Sequence, residues 1–238
     1  MMIYISHIIN NRSAEERINY PYHIPALKQM DKLEFRKPVT FIIGENGAGK
    51  STLIEAIAIK AGCNPEGGSA NFNFSTHQSH SNLYEDIQLI RTVNRNKDTY
   101  FLRAESFYNV ATAIIEYGTI ASYGGSLHDR SHGESFLNLL HYRLSGKGLY
   151  IFDEPESALS IMSQYNMLIK IKELVEKESQ FIIATHSPFL LAYPGADIIQ
   201  ITNNGHELVS LEETEQFQMT KFFVENYQSL IRELGLTP

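Results

Sequence analysis

Gly44-Glu45-Asn46-Gly47-Ala48-Gly49-Lys50-Ser51-Thr52 follows the apolar run Val39-Thr40-Phe41-Ile42-Ile43 and opens a helical run. The stretch fits the P-loop pattern G-x-x-x-x-G-K-[ST] at each fixed position, in the strand–loop–helix context that such a loop needs. Its glycines let the backbone curl so that successive N–H groups point inward and form an anion nest. The helix starting near Lys50 adds its positive N-terminal end. The pattern predicts phosphate contacts from Gly44, Asn46, Gly47, Ala48, Gly49, Lys50, Ser51 and Thr52. Lys50 is expected to reach the β- and γ-phosphates of a nucleotide, and Ser51 to ligate Mg²⁺.

A second apolar run, Leu149-Tyr150-Ile151-Phe152, ends in Asp153-Glu154-Pro155-Glu156. It reads as a buried parallel strand delivering carboxylates to its C-terminal edge, where ligands bind in open α/β sheets. Asp153 is placed to hold Mg²⁺, and Glu154 to orient and deprotonate a water. Further along, Phe181-Ile182-Ile183-Ala184 precedes Thr185-His186-Ser187-Pro188, another strand ending in a polar residue.

The order GENGAGKST, Ser131-His132-Gly133-Glu134-Ser135, IFDEPESALS and Ala184-Thr185-His186-Ser187-Pro188 resembles the motif order of ABC-type ATPases. Within them it looks most like the soluble SMC, RecN and RecF-like branch, and small stand-alone ATPases of bacteria made of the head alone. The resemblance spans about Val39 to Thr202. It implies an α/β P-loop NTPase head with a mixed sheet, an N-terminal antiparallel β region and a small helical lobe. It further implies Mg-dependent ATP hydrolysis, with Glu154 and His186 catalytic, and Ser51 and Asp153 on the metal. His186 would contact the γ-phosphate. Ser131, Gly133 and Glu134 match the Ser, second Gly and Gln of the LSGGQ signature, while His132 and Arg130 depart from it. In the family that segment faces the γ-phosphate held by a partner subunit. Ser131 and Glu134 also fit a capping box of an ordinary helix, 135–144, and both readings stand.

Other positions stay open. No Gln ends the Tyr100–Glu105 segment, where the family has its Q-loop; Glu105 is either a metal-side substitute or a salt-bridge partner. Tyr20 and Tyr22 lie where many members stack an aromatic ring on adenine, and Pro21 between them equally suits a turn.

The chain has 238 residues, 43% hydrophobic, with a formal charge of -7 and one cysteine. This is enough for one large domain, expected over 1–238 with an insert lobe at about 64–147. No run is long enough to span a bilayer, and no leader pattern opens the chain. Cys63 alone fits a reducing, cytoplasmic setting. The acidic balance lacks the global basic footprint of a nucleic-acid binder. Basic clusters at Lys28, Lys32, Arg36 and Lys37, and at Arg91, Arg95, Lys97 and Arg103, leave nucleic-acid contact as an option.

The pattern predicts strands at 3–9, 33–35, 39–43 and 181–184, helices at 51–61, 107–116, 160–177 and 215–233, and two hairpins. One hairpin joins 87–93 to 99–103; the other joins 197–202 to 207–211 around Asn203-Asn204-Gly205. The 160–177 helix reads as having one broad buried face. The chain is expected to be too short for coiled-coil arms. The function these features imply is an ATP-gated, head-to-tail homodimer coupled to a DNA or protein effector, of repair or phage-defence type. The alternatives are the nucleotide-binding subunit of a membrane transporter and a non-hydrolysing ATP-binding scaffold.

Overall fold

The computed structural model describes residues 2–69, 81–105 and 132–236. The expected helix at 107–116 and residues Arg130 and Ser131 lie outside them.

Strands β1 (Ile5–Asn10), β2 (Lys32–Glu34) and β5 (Ile87–Arg91) form a small antiparallel sheet, with β1 in the centre. The main sheet holds β3 (Val39–Gly44), β4 (Gly68–Ser69), β6 (Asp98–Arg103), β7 (Gly148–Asp153), β8 (Gln180–Ala184), β9 (Asp197–Thr202) and β10 (Gly205–Val209). Its order is β10-β9-β3-β8-β7-β6-β4. The strands from β9 to β6 run parallel; β10 and β4 are antiparallel edges. This is the expected mixed α/β architecture with an N-terminal antiparallel region.

Every residue of β3, β7 and β8 is buried, as a parallel sheet covered on both faces requires. Alternation sorts their side chains into two cores. Val39, Phe41, Ile43, Tyr150, Phe152, Phe181 and Ile183 pack toward helix α5 (Ile161–Glu176). Ile42, Leu149, Ile151, Ile182 and Ala184 pack toward helix α2 (Lys50–Lys60), which lies between the two sheets and is buried almost all round. The shorter helices are α1 (Pro25–Gln29), α3 (Leu83–Asp86), α4 (His132–Asn138) and α6 (Pro188–Leu191). Helix α7 (Glu215–Glu233) is capped by the Thr214 hydroxyl, which accepts from Phe217 N–H, and carries no buried residue.

Three expectations need correction. The segments 87–93 and 99–103 do not pair. β5 joins β1 and β6 joins β7 in parallel, so two long-range partners displaced a local turn. Both strands, placed by sequence in an insert lobe at 64–147, therefore belong to sheets. The expected helix at 135–144 begins at His132 as α4 and continues as a π turn over Leu139–Arg143. Finally, α5 buries only Gln164, Met167, Ile171 and Leu174, leaving Ile161, Met162, Tyr165 and Ile169 exposed.

Candidate functional site

The register of the parallel strands brings the candidate residues to one edge. Asp153, the last residue of β7, stands beside Ala184, the last of β8, and beside Arg103, the last of β6. Ala184 in turn pairs with Ile42, two residues before Gly44. The Glu154 N–H donates to the Ala184 carbonyl at 3.0 Å, and the Thr185 N–H to the Ile42 carbonyl at 3.2 Å. The loop after β3, the acids after β7 and the histidine after β8 therefore share the carboxyl edge of the sheet, where α/β proteins bind ligands.

Two glycines show why the loop has its composition. A Cβ at Gly44 would sit 2.6 Å from the Ile201 carbonyl oxygen, so only glycine fits against β9. Gly49 caps α2 at φ 95°, a left-handed conformation that side chains disfavour, and it turns the chain into the helix. Lys50 is buried, and its Nζ donates to the Gly44 and Glu45 carbonyls at 2.9 and 3.0 Å. Burial holds its pKa below the usual lysine range, against the pull of Glu154, Asp153 and Glu156. A cavity of about 500 Å³ opens beside the loop, lined by Asn46, Gly47 and Ala48 on one side and Asn203, Asn204 and Gln216 on the other. Ser51 and Thr52 occupy the first turn of α2.

Asp153 is buried, and burial raises its pKa to about 6, opposed by the charge of Arg103 and by a hydrogen bond from the Ser51 hydroxyl. Its Oδ1 has no hydrogen-bond partner among the described residues. Ser51 and Asp153 thus sit in contact, with one carboxylate oxygen buried and unpartnered. That donor set fits Mg²⁺, which takes one or two protein ligands beside phosphate and water. No group of three or more His, Cys, Asp or Glu able to hold a metal occurs among the described residues.

Glu154 adopts φ 48°, ψ 52°, a left-handed conformation rare outside glycine. Pro155 disfavours the right-handed region for the residue before it. Such backbone costs about 1–2 kcal/mol and clusters where function demands it. The result aims a half-exposed carboxylate at His186, whose Nε2 lies 3.6 Å from Glu154 Oε1. Glu156 reaches back in the other direction: its Oε1 accepts from the His186 backbone N–H at 2.6 Å.

Of the signature-like segment, Gly133 and Glu134 lie in the first turn of α4, and a Cβ at Gly133 would approach the Ala158 carbonyl to 3.2 Å. Tyr22 is buried and donates to Asp86 at 2.7 Å, so its ring is not available to a base. Tyr20 is exposed, its ring stacked on His23 at 5.3 Å. Lys32 and Arg36, from the first basic cluster, both pair with Glu34. Arg103, from the second, is not on a basic surface at all; it lies in the site, bonded to Glu55. Sequence reading missed Arg103, Glu55 and the backbone grip of Glu156. The clue for Arg103 was a cation closing an apolar strand, "TYFLR", that neighbours the acidic one.

Known proteins resemble this chain in sequence and in fold. The model of a family described as an AAA domain matches residues 27–184. The energy-coupling factor transporter ATP-binding protein EcfA2 of Methanospirillum hungatei is 26% identical over 219 residues, covering 83% of this chain and 54% of that protein. An uncharacterized ABC transporter ATP-binding protein of Haemophilus influenzae is 28% identical over 180 residues, covering 66% and 67%. The chain thus spans about half the length of the first relative and two thirds of the second. In fold it is similar to a nucleotide-free ATP-binding cassette from an ABC transporter, with a TM-score of 0.51 at 16% identity over 91% of this chain and 94% of the other.

Proposed function

This chain belongs to the AAA-domain family, and from that premise we propose that it is an ABC-type, ATP-hydrolysing subunit that closes as an ATP-gated dimer. The observation carrying this is the convergence of Lys50, Asp153, Glu154 and His186 on one sheet edge. The loop amides from Gly44 to Thr52 and the Lys50 ammonium hold the phosphates. Ser51 and Asp153 would hold Mg²⁺, which when bound would neutralise phosphate charge. Glu154 polarises the attacking water, and His186 donates to the γ-phosphate, so catalysis is positioning and charge stabilisation. Ser131, Gly133 and Glu134 complete the site from a second copy. Tyr20 stacks on the base. Residues 1–238 act as one head.

For the partner, the reading as a membrane-transporter subunit has more support than a soluble switch. Both relatives named above are transporter ATP-binding proteins. On this reading a separate subunit spans the bilayer and this chain sits at its cytoplasmic face; no helix among the described residues is long and apolar enough to cross a membrane. The second reading couples the dimer to a DNA or protein effector. It is favoured by the end of β6, where Arg103-Ala104-Glu105 stands and no glutamine does. The deciding experiment is affinity capture with the Glu154→Gln variant and ATP from detergent-solubilised cells. An integral membrane protein at equal stoichiometry supports the first reading. A soluble protein or DNA overturns it in favour of the second.

A further inference from the structure

Arg103 closes β6 opposite Asp153 in the parallel ladder, and its side chain is largely buried. Its three nitrogens face three carboxylates. Nη1 donates to Glu55 Oε2 at 2.6 Å, Nε lies 3.6 Å from Asp153 Oδ2, and Nη2 lies 3.7 Å from Glu105 Oε2. The Glu105 contact faces solvent and contributes little. The other two matter. Glu55 sits on α2 four residues after Ser51, so both project from one face of the helix. Helix α2 therefore grips Asp153 twice: directly through the Ser51 hydroxyl, and indirectly through Glu55 and Arg103.

We propose that Arg103 is a positioning residue for Asp153, locked by Glu55 so that the aspartate keeps its buried Oδ1 unpartnered for the divalent cation. This deepens the metal assignment under the proposed function and rests on it. An arginine beside a metal carboxylate could instead repel the metal. Charge geometry decides against that. Glu55 lies closer to the guanidinium than Asp153 does, 2.6 against 3.6 Å, so Glu55 and Arg103 together present a nearly neutral unit. What remains is the directional Nε contact at 3.6 Å, which favours the orientation in which Oδ2 of Asp153, and not Oδ1, faces Arg103. A lysine, with one nitrogen, cannot engage Glu55 and Asp153 in the same way.

The test is calorimetric titration of the full chain with a non-hydrolysable ATP analogue, once with EDTA and once with Mg²⁺. The readout is the gain in affinity that Mg²⁺ supplies. Arg103→Met is expected to bind the analogue as wild type does in EDTA, but to lose about tenfold of the Mg²⁺ gain, the scale of outer-shell metal effects. Glu55→Gln, which preserves shape, should lose part of the gain, and Arg103→Lys should not restore it fully. An unchanged or increased gain in Arg103→Met overturns the proposal, as does an unchanged gain in Glu55→Gln should Arg103→Met fail to fold. A wild-type chain that gains nothing from Mg²⁺ overturns the metal assignment itself and this proposal with it; the wild-type arm alone reports that outcome.

Discussion

His186 is held by its backbone and free at its ring: its N–H donates to Glu156 Oε1 at 2.6 Å, while its Nε2 has no hydrogen-bond partner among the described residues and lies 3.6 Å from Glu154. Under the proposed function this ring donates to the γ-phosphate. His186→Ala should slow single-turnover hydrolysis by about a hundredfold, the scale of a positioned proton donor, with ATP affinity nearly kept. Glu156→Ala should slow it less, about tenfold, and Glu156→Gln, which keeps the acceptor, should recover most of the rate. Wild-type rates in His186→Ala would reduce the histidine to a turn residue.

Lys50 donates two of its three ammonium N–H groups to loop carbonyls, which leaves one for a phosphate oxygen. Lys50→Ala removes that cation while the backbone nest stays. ATP affinity should fall at least about tenfold, or about 1.4 kcal/mol, by calorimetry. Unchanged affinity would remove the loop from nucleotide binding.

Glu154 stores backbone strain at φ 48°. Glu154→Gly relieves it and should raise the melting temperature, by an amount corresponding to about 1 kcal/mol, while abolishing hydrolysis. A less stable glycine variant would show that the carboxylate contributes more to folding than its backbone costs.

Cys63 is buried, and burial pushes its thiol up to about 12. The neutral thiol favours the fold fully below the ordinary value near 9, and this contribution is lost as pH rises through about 12. At pH 8 a thiol reagent should label the folded protein far more slowly than the denatured one, at a rate set by unfolding. Fast labelling of the native chain would contradict the packing around α2.

How much of this was legible before the structure depended on sequence distance. The P-loop, the Asp153-Glu154 pair and the strand before His186 each lie within one short stretch, where periodicity and turn chemistry act locally. Helix α7 and the β9–β10 hairpin were legible for the same reason: Thr214 caps one, and Asn203-Asn204-Gly205 turns the other. The pairing of β5 with β1 and of β6 with β7 was not, because each joins segments far apart in sequence and either could have closed a local turn. Arg103 was lost with that pairing. Read as a hairpin residue it is a surface cation; read as the neighbour of Asp153 it is part of the site. Tyr20 and Tyr22 were equivalent in sequence and are separated by the burial of Tyr22 and its bond to Asp86.

The central claim is that the signature-like segment of one copy meets the nucleotide held by another. Glu154→Gln keeps shape and nucleotide binding but lacks the carboxylate that activates water, so ATP-Mg²⁺ persists, and whatever binds only the dimer stabilises it by mass action. Sedimentation of Glu154→Gln should give a dimer with ATP-Mg²⁺ and a monomer or weak associate without nucleotide. Adding Ser131→Arg should abolish that dimer and leave ATP binding intact, since Lys50 and its loop are untouched. A Glu154→Gln protein of the same mass with and without ATP, or a double variant that still dimerises on ATP, would contradict the account.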